Sequence, residues 1–226
     1  MPDTLFAAWL IARKDLVIEF RTRSAFLSAV VFAPLGLVIF YYSWDPTAVA
    51  VTDLAPGVLW IVFTFSGLLG LHRSFGVEGA DHAIDGLLAS PVSREAIFLG
   101  KAIANLIFVV AVQLIAIPAL MLFYSLPVGA IAGPLIAIAL LAAIGLVAVG
   151  TLFSAMAVNT RLAELLLPML ELPFFLPIVI AASQATAKLL SGRPITEAGA
   201  WLKILLAFDL VFVAACMLTY PLTIED

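Results

Sequence analysis

The chain has few means of facing water. Only 12% of its 226 residues are charged and 64% are hydrophobic, whereas a soluble domain carries about 25% charged residues. That composition excludes a soluble globular domain and leaves a polytopic membrane protein. The single cysteine, Cys216, excludes an intrachain disulfide, and its place in an apolar run predicts a buried, inert thiol. With two histidines, His72 and His82, there is no helical His-Glu-x-x-His, and no Gly-x-Ser-x-Gly elbow is present either. A P-loop needs a glycine five residues before its Gly-Lys and a hydroxyl after it, because amides, ammonium and hydroxyl must all reach phosphate or magnesium. At Gly100-Lys101 those places hold Glu95 and Ala102, so the chain cannot hydrolyse ATP alone. The net charge of −4 gives no reason to expect nucleic acid as a partner, and the placement of the charges matters more than their sum.

What is present is a series of long apolar runs. Ser24 to Tyr42, Leu54 to Leu71, Ala102 to Tyr124, Ala130 to Val158 and Leu162 to Ala182 are each long enough to approach or cross a hydrocarbon core of ~30 Å. A sixth run starts from a cap at Thr196-Glu197 and ends near Tyr220-Pro221. Ser125-Leu-Pro-Val-Gly129 separates the third run from the fourth, and Pro56 is placed in the first turn of the second. Pro168, Pro173 and Pro177 predict that the fifth is broken or kinked. Before them, residues 3–23 read as an interfacial helix, with Leu5, Trp9, Leu16 and Phe20 on one face and Lys14, Asp15 and Arg21 away from it. Its apolar stretch Leu5 to Ala12 lacks a cleavage site and is expected to be retained.

Six spans put Arg13, Lys14, Arg21, Arg23, Arg73, Arg94, Lys101 and Arg161 on one side, against Lys188, Arg193 and Lys203 on the other. By the positive-inside rule both termini are expected in the cytoplasm. Trp44, Tyr124 and Trp201 at the outer ends and Tyr220 at the inner end are expected as interfacial belt residues. Glu171 falls near the midplane, where an ionisable group costs at least ~2.5 kcal/mol unless it is paired, protonated or facing water. It reads either as a protonated structural group or as part of a pathway or gate. Asp209 is expected to make a local contact near Lys203.

The remaining polar stretch, residues 72–101, organises the chain. At helical spacing Ile84, Leu87 and Leu88 gather beside Asp81 and Asp85 until Pro91 ends the helix; Ser93 then caps the next one, which runs past Lys101. Apolar side chains there would be wasted in solvent. The expected role is docking, with Ile84, Leu87 and Leu88 as anchors and the carboxylates setting register against cations of a partner.

Ala55-Pro56-Gly57 with Trp60, then Leu71, Arg73 and Phe75, then Asp81-x-x-Ile84-Asp85-x-Leu87-Leu88-x-x-Pro91 and Lys101 carry a family resemblance. On these residues the chain resembles, over essentially its whole length, the CcmB family, the haem exporter permeases of bacterial cytochrome c maturation. Two positions depart from the family pattern: His82 stands where glycine is usual, and Asn105-Leu106 where a His-Trp pair often follows the lysine.

The resemblance implies one all-α permease domain over residues 1–226, an ABC exporter type with an interfacial helix at 3–23 and a cytoplasmic coupling loop at 72–101. It implies a non-catalytic subunit in the inner membrane, dimerised over a separate cytoplasmic ATPase and joined by further membrane subunits. Haem would be a handled or transported ligand rather than a bound cofactor, with no metal held by the chain. Haem export and release of a haem-loaded periplasmic chaperone both remain open. A permease for another hydrophobic small molecule would share the docking loop and is the rival reading.

Overall fold

Helix breaks in this chain fall where polar turns interrupt the apolar runs. The structure, a computed structural model, describes residues 4–80, 86, 91–126, 128–157 and 163–223. Helix α1 is Thr4–Thr22, α2 Ser24–Ser43, α3 Val51–Ala80, α4 Arg94–Phe123, α5 Val128–Ala157 and α6 Ala163–Leu190. A 3-10 turn, Ile195–Ala198, leads into α7, Gly199–Thr223. Helices α2 to α7 each contain an apolar stretch of membrane-crossing length. The fold is thus the all-α, six-span membrane fold expected of an ABC exporter permease.

Two sets of contacts show the spans alternating in direction. At one end, Phe98 early in α4 meets Tyr220 late in α7 at 5.2 Å between ring centroids, and Ser154 late in α5 donates to the Leu71 carbonyl of α3 at 3.2 Å. At the other end, Tyr41 of α2 meets Tyr124, just past α4, at 5.5 Å. Helix α1 lies at the first end, packed chiefly on α4.

Lipid solvates apolar side chains about as well as protein does, so helices in a bilayer associate through close packing and a few hydrogen bonds. The chain supplies the first with alanine at helical spacing. Ala25, Ala29, Ala33 and Leu37 form the buried stripe of α2, and Ala142, Ala143, Ala181, Ala182 and Ala185 are buried in α5 and α6. Closest approach occurs at glycine: a Cβ on Gly150 would stand 2.5 Å from Cδ1 of Leu71. The second is a set of buried interhelical bonds. Trp60 Nε1 donates to Thr186 Oγ1 at 2.9 Å, Asn105 Nδ2 to Thr151 Oγ1 at 3.0 Å, and Gln113 Nε2 to the Ala139 carbonyl at 3.2 Å. Asn105, one of the two departures from the family pattern, therefore ties α4 to α5.

Two of the three turns at the far end, those after α4 and α6, close with a left-handed residue after the helix. Ser125 has φ 51° and Gly192 φ 74°, and the next amides bond back to the last turn, Leu126 N to Met121 O and Arg193 N to Lys188 O.

Several expectations need correction. Tyr124 and Tyr220 are buried, so they are core residues and not belt residues; the Tyr124 hydroxyl donates to the Leu37 carbonyl at 3.3 Å. Helix α6 runs unbroken through Pro168, Pro173 and Pro177 and continues to Leu190, so Lys188 belongs to its last turn and not to a loop. Neighbouring helices and local adjustment can satisfy carbonyls that a proline leaves free in a bilayer. Helix α3 begins at Val51, which puts Pro56 beyond its first turn. Asp209 turns inward, its Oδ1 near Gly145 of α5, while Lys203 is exposed.

Candidate functional site

The candidate site is the polar stretch 72–101 and whatever grips its exit. Of the sequence-predicted docking residues, Asp81, Ile84, Asp85, Leu87 and Leu88 lie outside the described residues, as does His82. Pro91 is exposed immediately before the next helix. Ser93 is the N-cap of α4, its side chain accepting from Ala96 N at 3.3 Å, which satisfies one of the free amides of the first turn.

From that cap α4 enters a tight joint with α1. Ala7, Ala8, Ile11 and Ala12 are the buried residues of α1, and Ala7, Ala8 and Ala96 form one small cluster with Val92 against it. Gly100 makes the approach possible, since a Cβ there would stand 2.7 Å from both the Ala8 carbonyl oxygen and Ile11 Cβ. The apolar side chains Leu5, Trp9 and Phe20 are exposed, turned away from the protein.

One turn further along, the joint is closed by charge. Lys101 has 0% side-chain exposure and Asp15 15%, and Lys101 Nζ lies 3.2 Å from Asp15 Oδ2. Asp15 Oδ1 is also 3.1 Å from Lys14 Nζ, so one carboxylate bridges two ammonium groups. A buried ammonium is expensive unless its counter-charge is fixed beside it. The sequence puts Asp15 away from the apolar face of Leu5, Trp9 and Phe20, as observed, but sequence reasoning missed its pairing with Lys101. The available signal was Lys101 itself, a cation inside a helix that continues without charge to its end.

The same end of α1 organises the start of α2. Arg23 links the two helices with φ 54°, a left-handed conformation that costs a non-glycine residue about 1–2 kcal/mol. Glu19 offsets this by reaching across the joint, its Oε1 accepting from Phe26 N at 2.8 Å. A residue of α1 thereby caps α2.

Deeper in the bundle, Glu171 is fully buried near the beginning of α6. Phe174, one turn on, meets Phe153 of α5 at 5.2 Å with the rings tilted and Phe212 of α7 edge-on at 5.9 Å. Asp209 is buried on α7, and neither carboxylate oxygen has a hydrogen-bond partner among the described residues. Helix α6 packs on α3, α5 and α7, and among the described residues α4 and α6 share no sizeable interface. Among the described residues no three His, Cys, Asp or Glu side chains gather as metal ligands would.

The family model described as "CcmB protein" matches residues 6–225. The heme exporter protein B of Bradyrhizobium diazoefficiens is 28% identical over 219 residues, covering 94% of this chain and 97% of that protein. That of Pseudomonas aeruginosa is 26% identical over 202 residues, 89% of this chain and 90% of its own. That of Paracoccus denitrificans is 28% identical over 183 residues, 79% and 82% respectively.

The joint makes a specific prediction. Asp15→Ala should remove the Asp15 carboxylate from beside the buried Lys101 and cost up to about 3–5 kcal/mol, whereas Asp15→Leu combined with Lys101→Met should restore most of the loss. Unfolding of the detergent-solubilised protein, read as a double-mutant cycle, measures the coupling. Additive losses would show that the pair does not hold the joint.

Proposed function

Because the chain belongs to the CcmB family, we propose that it acts as the permease subunit of an ABC transporter in cytochrome c maturation, with haem as the ligand its complex handles. It is a non-catalytic subunit of that transporter. ATP is hydrolysed by a separate ATPase, and further membrane subunits of the maturation system complete the assembly. The permease forms a homodimer over two ATPase copies, with both termini and the 72–101 stretch in the cytoplasm.

The observation that carries the mechanical reading is the buried Lys101–Asp15 pair directly after that stretch. An ATPase docked on Ile84, Leu87 and Leu88, with Asp81 and Asp85 setting register and Pro91 ending the docking helix, would push on the head of α4. The ion pair and the Gly100 contact pass that push to α1, so α1 and the first turns of α4 move as one body. Since α4 and α6 share no sizeable interface among the described residues, this body can shift against the helix that carries Glu171. Glu171 then acts as a gate in the pathway, exposed or covered according to that shift.

Two experiments test this. The triple variant Leu87→Ala, Leu88→Ala and Asp85→Lys should insert at normal abundance but lose the ATPase on co-purification, together with cytochrome c yield. Each docked leucine contributes roughly 1–3 kcal/mol when buried on binding, and the charge reversal disturbs encounter and register. Full recovery of the ATPase would place docking, and the cytoplasmic side, elsewhere. Glu171→Gln should keep the ATPase bound yet lower cytochrome c yield; normal yield from Glu171→Leu would reduce the residue to a structural role.

A further inference from the structure

A cavity of about 400 Å³ lies where α1 turns into α2, walled by the second half of α1, the first turns of α2 and the α4 face around Ala104, Phe108 and Ala111. That volume falls in the range of ~300–1,000 Å³ that small-molecule sites occupy. Leu16, Phe20, Phe26, Ile107 and Phe108 make its walls apolar. Phe20, Leu27 and Ile107 on its lining are exposed, so it opens sideways off the bundle at the level where α2 begins. In a membrane protein that opening faces lipid.

The polar groups on the lining are Asp15, Glu19, Arg23 and Asn105, and three of them are engaged with the protein. Asp15 holds Lys101, Asn105 donates to Thr151, and Glu19 accepts from the Phe26 amide. Arg23 differs. Its side chain is exposed, its Nε donates to the Phe20 carbonyl at 3.3 Å, and it makes no ion pair among the described residues. The bond through Nε holds the guanidinium at the rim of the cavity. The result is an apolar slot with one oriented cation beside it, at the link between α1 and α2.

We propose that this slot holds an acyl chain of an anionic phospholipid whose phosphate pairs with Arg23. A guanidinium suits a phosphate diester because its donors match two oxygens at once, and the open apolar walls suit a chain that remains continuous with the bilayer. An anionic headgroup brings no second cation to the rim, whereas a choline headgroup would set its own charge near Arg23. The bound lipid would lie between α1, α2 and α4, packing the hinge at Arg23 on the face that the protein leaves open.

The test uses the complex of this chain with its ATPase, reconstituted in nanodiscs of mixed phosphatidylglycerol and phosphatidylcholine and released for native mass spectrometry. The wild type should retain phosphatidylglycerol over phosphatidylcholine by about tenfold. Arg23→Gln should abolish that preference, and Ala111→Phe, which fills the slot, should lose the bound lipid, both with the ATPase still attached. Equal retention of the two lipids by the wild type would overturn the proposal. So would retention of haem or a second copy of the chain in place of lipid, or full lipid retention by Ala111→Phe. If Ala111→Phe fails to assemble, the wild-type preference and its response to Arg23→Gln decide the matter alone.

Discussion

A lysine with no exposed side-chain surface must have a counter-charge, and the architecture at one end of this protein follows from where that counter-charge comes from. Lys101 is inside α4, and a carboxylate 3.2 Å from its ammonium comes from Asp15 on α1. For the two to meet, α1 must lie close along α4, which Ala8 and Ile11 allow only because residue 100 is glycine. Once α1 is held there, Glu19 falls within reach of the α2 amides, and the chain turns sharply at Arg23. One buried ion pair thus positions the first helix, the entry to the first span and the exit of the polar stretch that the family resemblance assigns to ATPase coupling.

The rest of the bundle is held differently. Alanine stripes and a handful of interhelical hydrogen bonds fasten α3 to α6 and α4 to α5, while α2 and α7 stay the least buried of the spans. Pairs fixed by small residues can slide without exposing apolar surface to water, because lipid covers what they uncover. A buried ion pair cannot separate on the same terms. The contrast divides the molecule into a stiff joint, α1 with the head of α4, and a looser set of helices that includes Glu171. In this reading the stiff part transmits force and the loose part responds.

The positions of the six spans were legible from the apolar runs, because a length of uncharged residues sufficient to cross a bilayer is a direct consequence of its thickness. The Ser93 cap was legible too, being a local pattern. What escaped was azimuth: in helices apolar on every side no periodicity tells which face is buried, so Tyr124 and Tyr220, at helix ends in sequence, were read as belt residues when they point inward. The prolines of α6 predicted a break or a kink, and it is the break that fails, because a bilayer enforces helix where water would not. The Lys101–Asp15 pair joins residues far apart in the chain and has no local signature. Asp81, Ile84, Asp85, Leu87 and Leu88 were legible only through their amphipathic spacing and family pattern, and their docking role rests on those.

The claim that α1 and the head of α4 move as one body is tested most directly by distances between spin labels. In a Cys216→Ala background, labels replacing exposed Phe6 and Glu95 report on α1 against the head of α4, and labels replacing Phe6 and Met169 report on α1 against α6. In the reconstituted transporter, the first distance should be the same without nucleotide and with ATP and vanadate, while the second changes; with Asp15→Asn the first should also vary. A first distance that changes between nucleotide states in the otherwise native chain would contradict the rigid joint.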